Sequence, residues 1–485
     1  MNKELPNSIV ISKVYLRLCT YLLVFLVCTL ALFWVDVSKI GVVLLFAFSL
    51  VFTIYILQHR SDKVQFLPIV ILMIYLLSFI FFFEFGPYSY PVKNKNLLYF
   101  YLGGANLALF MGYIKGTKTR MLDHIRKYKI KEIFNFFMIG SVLFLLVNLP
   151  YFISSIPNIF SVIHGSAFTV RNAYLTAGVQ WRNYISIFLY FFNNTFLILT
   201  IYYWKSINFL VRCFFIINFI LNLLSSIAIA GRVGIFSGLV LITFSFIAAY
   251  FSENLKKSVY KFLLISSLLF AFFLLYSNFI ALTRTPDSTF AVQSTIPGVE
   301  LNKDSILFRV IPKFFQPLTF TGIQYFSGGY YGLSLCLEKP FVGIAFGAGQ
   351  SIFLTRNFAR FFNFDYIYHL SYPFRLLLED NFPPSIWVTA YPWIASDVTF
   401  IGSIFVLFIL GYLLALAWKD VLIKHNPFAV VAFVTLSTAI IFLPMGSATQ
   451  AGSEFVNFYT VLIVWWVTRT RLVQRKAQRE LGFNI

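Results

Sequence analysis

One arginine set among small residues, in the run Ala-Gly-Arg-Val-Gly at 230–234, carries the clearest chemistry in the chain. Arg232 falls in the tight turn between two long apolar stretches, on the outer side where basic residues are few, and an arginine there invites an anionic partner. Its planar fork matches phosphate oxygens, and the amides that open the next helix would add to the attraction. The simpler role is contact with lipid headgroups, with Gly231, Gly234 and Gly238 serving as packing glycines. The segment 283–397 holds Arg284, Arg309 and Arg375 among eight basic and eight acidic residues. Both signs at zero net charge suit a ligand that joins a diphosphate to sugars. His369 and Asp397 are the candidate proton acceptors for a sugar hydroxyl. A surface position for His369 and an N-cap role for Asp397 are the plainer explanations. Tyr325, Tyr391 and Trp393 offer ring faces for sugars.

The elements that must position these groups are membrane helices. Of the 485 residues, 59% are hydrophobic, 20% aromatic and only 12% charged, too few charges to cover a water-exposed surface. Taking about 20 apolar residues per crossing, twelve spans are expected, at 14–34, 38–57, 65–83, 97–114, 133–153, 184–204, 207–229, 233–251, 259–282, 398–418, 428–444 and 453–468. The links at 204–207 and 229–233 must be tight hairpins. The first span is too long for a secretory leader. This predicts an all-α polytopic protein in three parts: residues 1–282 with nine spans, a long outer loop at 283–397, and residues 398–485 with three spans and a basic tail.

The net charge of +20 is mostly an orientation signal. With both termini inside, inner segments hold 24 basic and 7 acidic residues, and outer segments hold 14 and 11. Cytoplasmic loops retain Lys and Arg in this way. The excess therefore does not call for a nucleic-acid partner. The outer segment of about 115 residues is too aromatic for a free-standing domain and reads as interfacial helices lying on or dipping into the leaflet.

No Asp, Glu, Lys or His falls at the centre of a span, which weakens an ion-coupled carrier. Asn106, Asn193, Asn194, Asn218 and Asn222 read as interhelical hydrogen-bonding groups. Zinc spacing, Walker and Rossmann glycine patterns are absent, so neither metal nor cofactor is expected. Four cysteines form no disulfide framework, and Cys336 alone stands outside the apolar runs.

Three pieces resemble the bacterial oligosaccharide repeat-unit polymerases, the Wzy-type O-antigen polymerases. They are Ala-Gly-Arg-Val-Gly (230–234), then Tyr-Phe-Ser-Gly-Gly-Tyr-Tyr-Gly-Leu (325–333) with Gly-Ile-Ala-Phe-Gly-Ala-Gly (343–349), and the Thr389 to Ser403 approach to the span after the long loop. The resemblance implies a GT-C-like bundle in the inner membrane. It implies transfer of a growing glycan from undecaprenyl diphosphate to the non-reducing end of a new lipid-linked repeat unit at the periplasmic face. A separate chain-length regulator and a flippase are the implied partners. It supports Arg232, Gly328, Gly329 and Asp397 as site residues; Arg284, Arg309, Arg375, His369 and the three aromatics rest on chemistry alone. An O-antigen ligase shares the same plan and remains open. So does a lipid-linked oligosaccharide flippase, although it should carry charges inside its spans and lack so long a loop.

Overall fold

A computed structural model of the chain describes residues 63–119, 130–170, 181–252, 259–283, 296–382, 388–424, 426–446 and 452–480. The spans expected at 14–34 and 38–57, and Arg284, lie outside the described residues.

The first half of the described chain is a run of long helices: α1 (Lys63–Phe85), α2 (Lys95–Lys118), α3 (Ile130–Ile163), α4 (Trp181–Tyr202), α5 (Phe209–Ala228), α6 (Val233–Phe251) and α7 (Val259–Thr283). In chain order, short α8 (Ile306–Val310) precedes a longer helix, α9 (Gln316–Leu337), and short α10 (Ile352–Phe362), α11 (Ile367–Leu370) and α12 (Tyr372–Asp380) follow it. The chain then returns to the bundle as α13 (Ala390–Lys424), α14 (Pro427–Ile441) and α15 (Gly452–Glu480). The described strands are β1 (Tyr88–Ser89) and β2 (Glu300–Leu301), an antiparallel pair that ties the α1–α2 link to the long loop.

Among the described residues, seven helices are long and apolar enough to cross a membrane: α1 to α6 and α13. The apolar part of α7 and α14 are shorter. This is the architecture of a helical membrane protein. Both expected hairpins are present, as turns between Tyr202 and Phe209 and between Ala228 and Val233. Local chemistry sets the helix ends. Asn94, Asn208 and Asn426 accept the amides of Leu97, Val211 and Phe428, each at 3.0 Å, as N-caps. The Lys419 ammonium closes the other end of α2 by donating to the Thr117 and Thr119 carbonyls at 2.9 and 2.8 Å.

The spine of the bundle is α2 against α13. A Cβ on Gly112 would collide with the Phe408 carbonyl, one on Gly116 with that of Tyr412, and one on Gly411 with that of Leu109. Small residues let the two backbones touch, the usual device where lipid offers no hydrophobic drive between helices. Trp418 donates to the Val64 carbonyl at 2.8 Å and Tyr101 bonds Ser403 at 2.6 Å, which fastens α1 and α2 to α13. Asn218 and Asn193 behave as expected: with Ser141 they form a network joining α3, α4 and α5, and Asn222 extends it.

The long loop differs from a set of short surface helices. α9 is 22 residues long, and Phe320, Tyr330, Leu333 and Cys336 along it are buried. Its sequence is rich in Gly, Ser and Tyr, so hydropathy hides it, yet these small residues allow close packing. A Cβ on Gly329 would strike the Pro444 carbonyl just beyond α14.

Candidate functional site

Arg232 is placed by the way α5 ends. The Gly231 amide bonds the Ser226 carbonyl at 2.7 Å and the Ala230 amide bonds that of Ile227 at 2.8 Å. This paired pattern is a Schellman turn, whose left-handed position is usually glycine. Here Ala230 fills it, at φ 49°. Ala230 is fully buried with Val162, Ile235, Tyr276 and Ile280, and its methyl packing offsets the strained φ. A Cβ on Gly234 would meet the Ser226 hydroxyl, so the hairpin closes tightly.

The turn leaves Arg232 half-buried immediately before α6. Its guanidinium lies 4.9 Å from the centre of the Tyr325 ring on α9. Two residues chosen separately from the sequence thus meet. Among the described residues, no carboxylate forms an ion pair with Arg232. The first amides of α6 have no intrahelical acceptor, which adds partial positive charge at the same place.

Arg375 occupies different surroundings. It is 5% exposed, donates to the Pro340 carbonyl at 2.7 Å and lies over the Tyr372 ring at 4.9 Å. Its Nε is buried without a hydrogen-bond partner. Pro340 follows the end of α9, twelve residues of helix past Tyr325, about 18 Å at the helical rise. Arg375 and Arg232 therefore do not converge on one phosphate in this structure. Nearby, Lys339 takes both Glu379 and Asp380, at 2.6 and 2.8 Å. Burial pulls its ammonium down, but the hydrogen bonds and charges of the two carboxylates outweigh that and hold its pKa above the ordinary lysine value.

Asp397 does not take the plainer of its two expected roles. It does not cap the start of a helix, because α13 already begins at Ala390. The helix breaks at Thr399, with φ 68° and ψ 168°, and the Thr399 hydroxyl accepts the Gly402 amide at 3.2 Å. Thr399 therefore does the capping. Asp397 turns instead to the 343–350 loop and accepts the Gly347 amide at 2.9 Å. Its second oxygen, Oδ2, is buried and has no partner.

Other expected residues are not gathered into one site. Arg309 is exposed and pairs with exposed Asp304 at 3.3 Å. His369 is exposed, with its ring beside that of Tyr366. Tyr391 and Trp393 are each 1% exposed, packed edge-on against Tyr101 and Phe374. Their faces are not open to a sugar here; their apolar bodies fill the space beneath the long loop. Gly328 and Gly329 are buried on α9. Sequence reasoning missed Gln350 and Tyr459, whose side chains hydrogen-bond beside Asp397. A glutamine and a tyrosine more than a hundred residues apart leave no motif. Among the described residues, no group of three or more His, Cys, Asp or Glu side chains could hold a metal ion.

Fold and site together define a helical membrane protein with a cation–aromatic pair at one end of its bundle. In comparisons with known proteins, no family model, curated protein or solved structure matches the chain.

Proposed function

We propose that the chain polymerises lipid-linked oligosaccharide repeat units, as a glycosyltransferase of the Wzy O-antigen polymerase type. In this reading it spans the bacterial inner membrane twelve times with both termini in the cytoplasm. The observation that carries it is the Arg232–Tyr325 pair: a half-buried guanidinium with no carboxylate partner among the described residues, at a helix start, steadied by an aromatic ring. Such a guanidinium attracts the diphosphate of undecaprenyl-diphosphate-linked glycan and stabilises the charge that develops as it leaves. In the reaction, the bond between the donor sugar's C1 and the diphosphate oxygen breaks, and its electron pair leaves with undecaprenyl diphosphate. A hydroxyl at the non-reducing end of the next repeat unit forms the new glycosidic bond. Its proton passes to a base; of the two candidates, Asp397 is held by the Gly347 amide and the His369 imidazole is exposed, and neither forms a described contact with Arg232.

The test is deletion of the gene in its host followed by gel analysis of lipopolysaccharide. A polymerase mutant leaves lipid A-core bearing one repeat unit. Core alone would point to a ligase or flippase and end this reading.

A further inference from the structure

The 343–350 loop has a feature that the transfer reaction does not use. From Pro340 to Thr355 the chain runs sixteen residues without a charge. A loop facing water seldom does so. Its tip is also not folded inward: Phe341 is 39% exposed, Val342 48%, Ile344 54% and Phe346 75%. Phe361 and Phe362, which end α10, are 72% and 69% exposed.

This tip is firmly held. Phe346 and Gly347 both take positive φ, at 52° and 82°, which turns the tip outward and aims the Gly347 amide at Asp397. The Ala348 amide bonds the Ala345 carbonyl at 2.9 Å, and the Thr355 hydroxyl bonds the Ala348 carbonyl at 2.7 Å. Gly349 packs onto Ser396, where a Cβ would come within 2.7 Å of that side chain. A rigid mount under an exposed apolar tip is what an insertion device needs, because the ordering is already done before it meets its partner.

The partner is indicated by what adjoins the mount. Asp397 belongs to α13, which is long and apolar enough to cross a membrane. Four and eight residues past Asp397, beyond the break at Thr399, α13 exposes Ile401 and Phe405, at 83% and 64%. On a membrane helix such a surface faces acyl chains, and the loop tip is tied to the same helix by the Gly347–Asp397 bond.

We propose that Phe341 to Phe346 form a wedge seated among the acyl chains of the adjoining leaflet, and that the Gly347–Asp397 bond couples this seating to the position of Asp397. Aromatic and aliphatic tips favour this depth. The proposal does not depend on the transfer reaction, and its test reads no activity.

The full chain, with its four cysteines replaced by alanine, would carry one spin label at Phe346→Cys and, separately, at Ile344→Cys. Each would be reconstituted in nanodiscs of phosphatidylethanolamine and phosphatidylglycerol. Power saturation then compares collisions with oxygen, which concentrates in the bilayer, and with a water-soluble nickel chelate. A label at Lys303→Cys, at an exposed loop position, is the aqueous reference. The expected result is an oxygen-to-nickel accessibility ratio several-fold above the reference at both tip positions. A ratio equal to the reference would place the tip in water, and protection from both reagents would mean that protein covers it. Either outcome overturns the proposal.

Discussion

The Arg232 guanidinium sits over the Tyr325 ring at 4.9 Å, joining the tip of the α5–α6 hairpin to the buried helix of the long loop. Such a pair contributes about 0.5–2 kcal/mol according to how far it is shielded from water. Tyr325→Phe keeps a ring and should retain polymer length. Tyr325→Ala should slow chain extension by about two- to thirtyfold, the same energy expressed as a ratio. Arg232→Lys keeps the charge but loses the fork, and should lose at least as much. Ladder length on lipopolysaccharide gels reads all three; wild-type ladders from Arg232→Lys would remove Arg232 from the mechanism.

Asp397 permits its two roles to be separated. Asp397→Asn keeps an oxygen for the Gly347 amide, so its thermal midpoint should stay near wild type. As the base it should lose about a hundredfold or more in extension. Asp397→Ala should also destabilise, by about 1–3 kcal/mol, because the Gly347 amide loses its acceptor. It should open the 343–350 loop to limited proteolysis. An Asn variant with full activity would leave Asp397 only its structural part.

How much of this was legible beforehand differs from residue to residue. Helices α1 to α6 follow from apolar runs long enough to cross a bilayer, a signal that needs no partner element. Arg232 was visible because it is an isolated charge between two such runs. α9 was not, since glycines and tyrosines lower its hydropathy even though its environment buries it. Tyr391 and Trp393 look like open platforms in the sequence, because aromatic residues in an outer segment look alike whether they face a ligand or a core. For Asp397 the sequence offers both a base and a cap, and only the three-dimensional path of the 343–350 loop shows what it accepts.

The Asp420–Arg469 pair fastens the last turns of α13 to the middle of α15. The Arg469 Nε lies 2.9 Å from Asp420, whose side chain is fully buried, and Trp465 donates to the same oxygen at 3.2 Å. Removing the arginine takes the charged Arg469 partner from a buried carboxylate, and breaking a buried pair costs up to about 3–5 kcal/mol. Arg469→Met should therefore lower the thermal midpoint in detergent sharply. Combining it with Asp420→Leu should recover most of the loss. If the single variant melts like wild type, the pair is not stabilising the bundle.

Cys336 is fully buried and cannot report which side of the membrane the long loop occupies. An exposed position can. Lys303→Cys, in the chain freed of its other cysteines, should react with an impermeant maleimide in intact spheroplasts. Labelling only after detergent would place the loop inside and reverse the proposed orientation.

Gly112→Ala should destabilise by at least about 1–3 kcal/mol, the scale of an overpacked core, because the atom in its way is the Phe408 carbonyl and no side chain can swing clear. A thermal midpoint unchanged from wild type would mean that the two helices can part at no expense.

That same contact limits how the molecule can work. Two helices whose backbones interlock at Gly112, Gly116 and Gly411 can neither rotate nor slide past each other by a turn without tearing the seam. A carrier that alternates access by rocking its halves would have to keep both in one half. A transferase needs no such motion: it can hold α2 and α13 still as a fixed bench while lipid-borne glycans arrive and leave from the side.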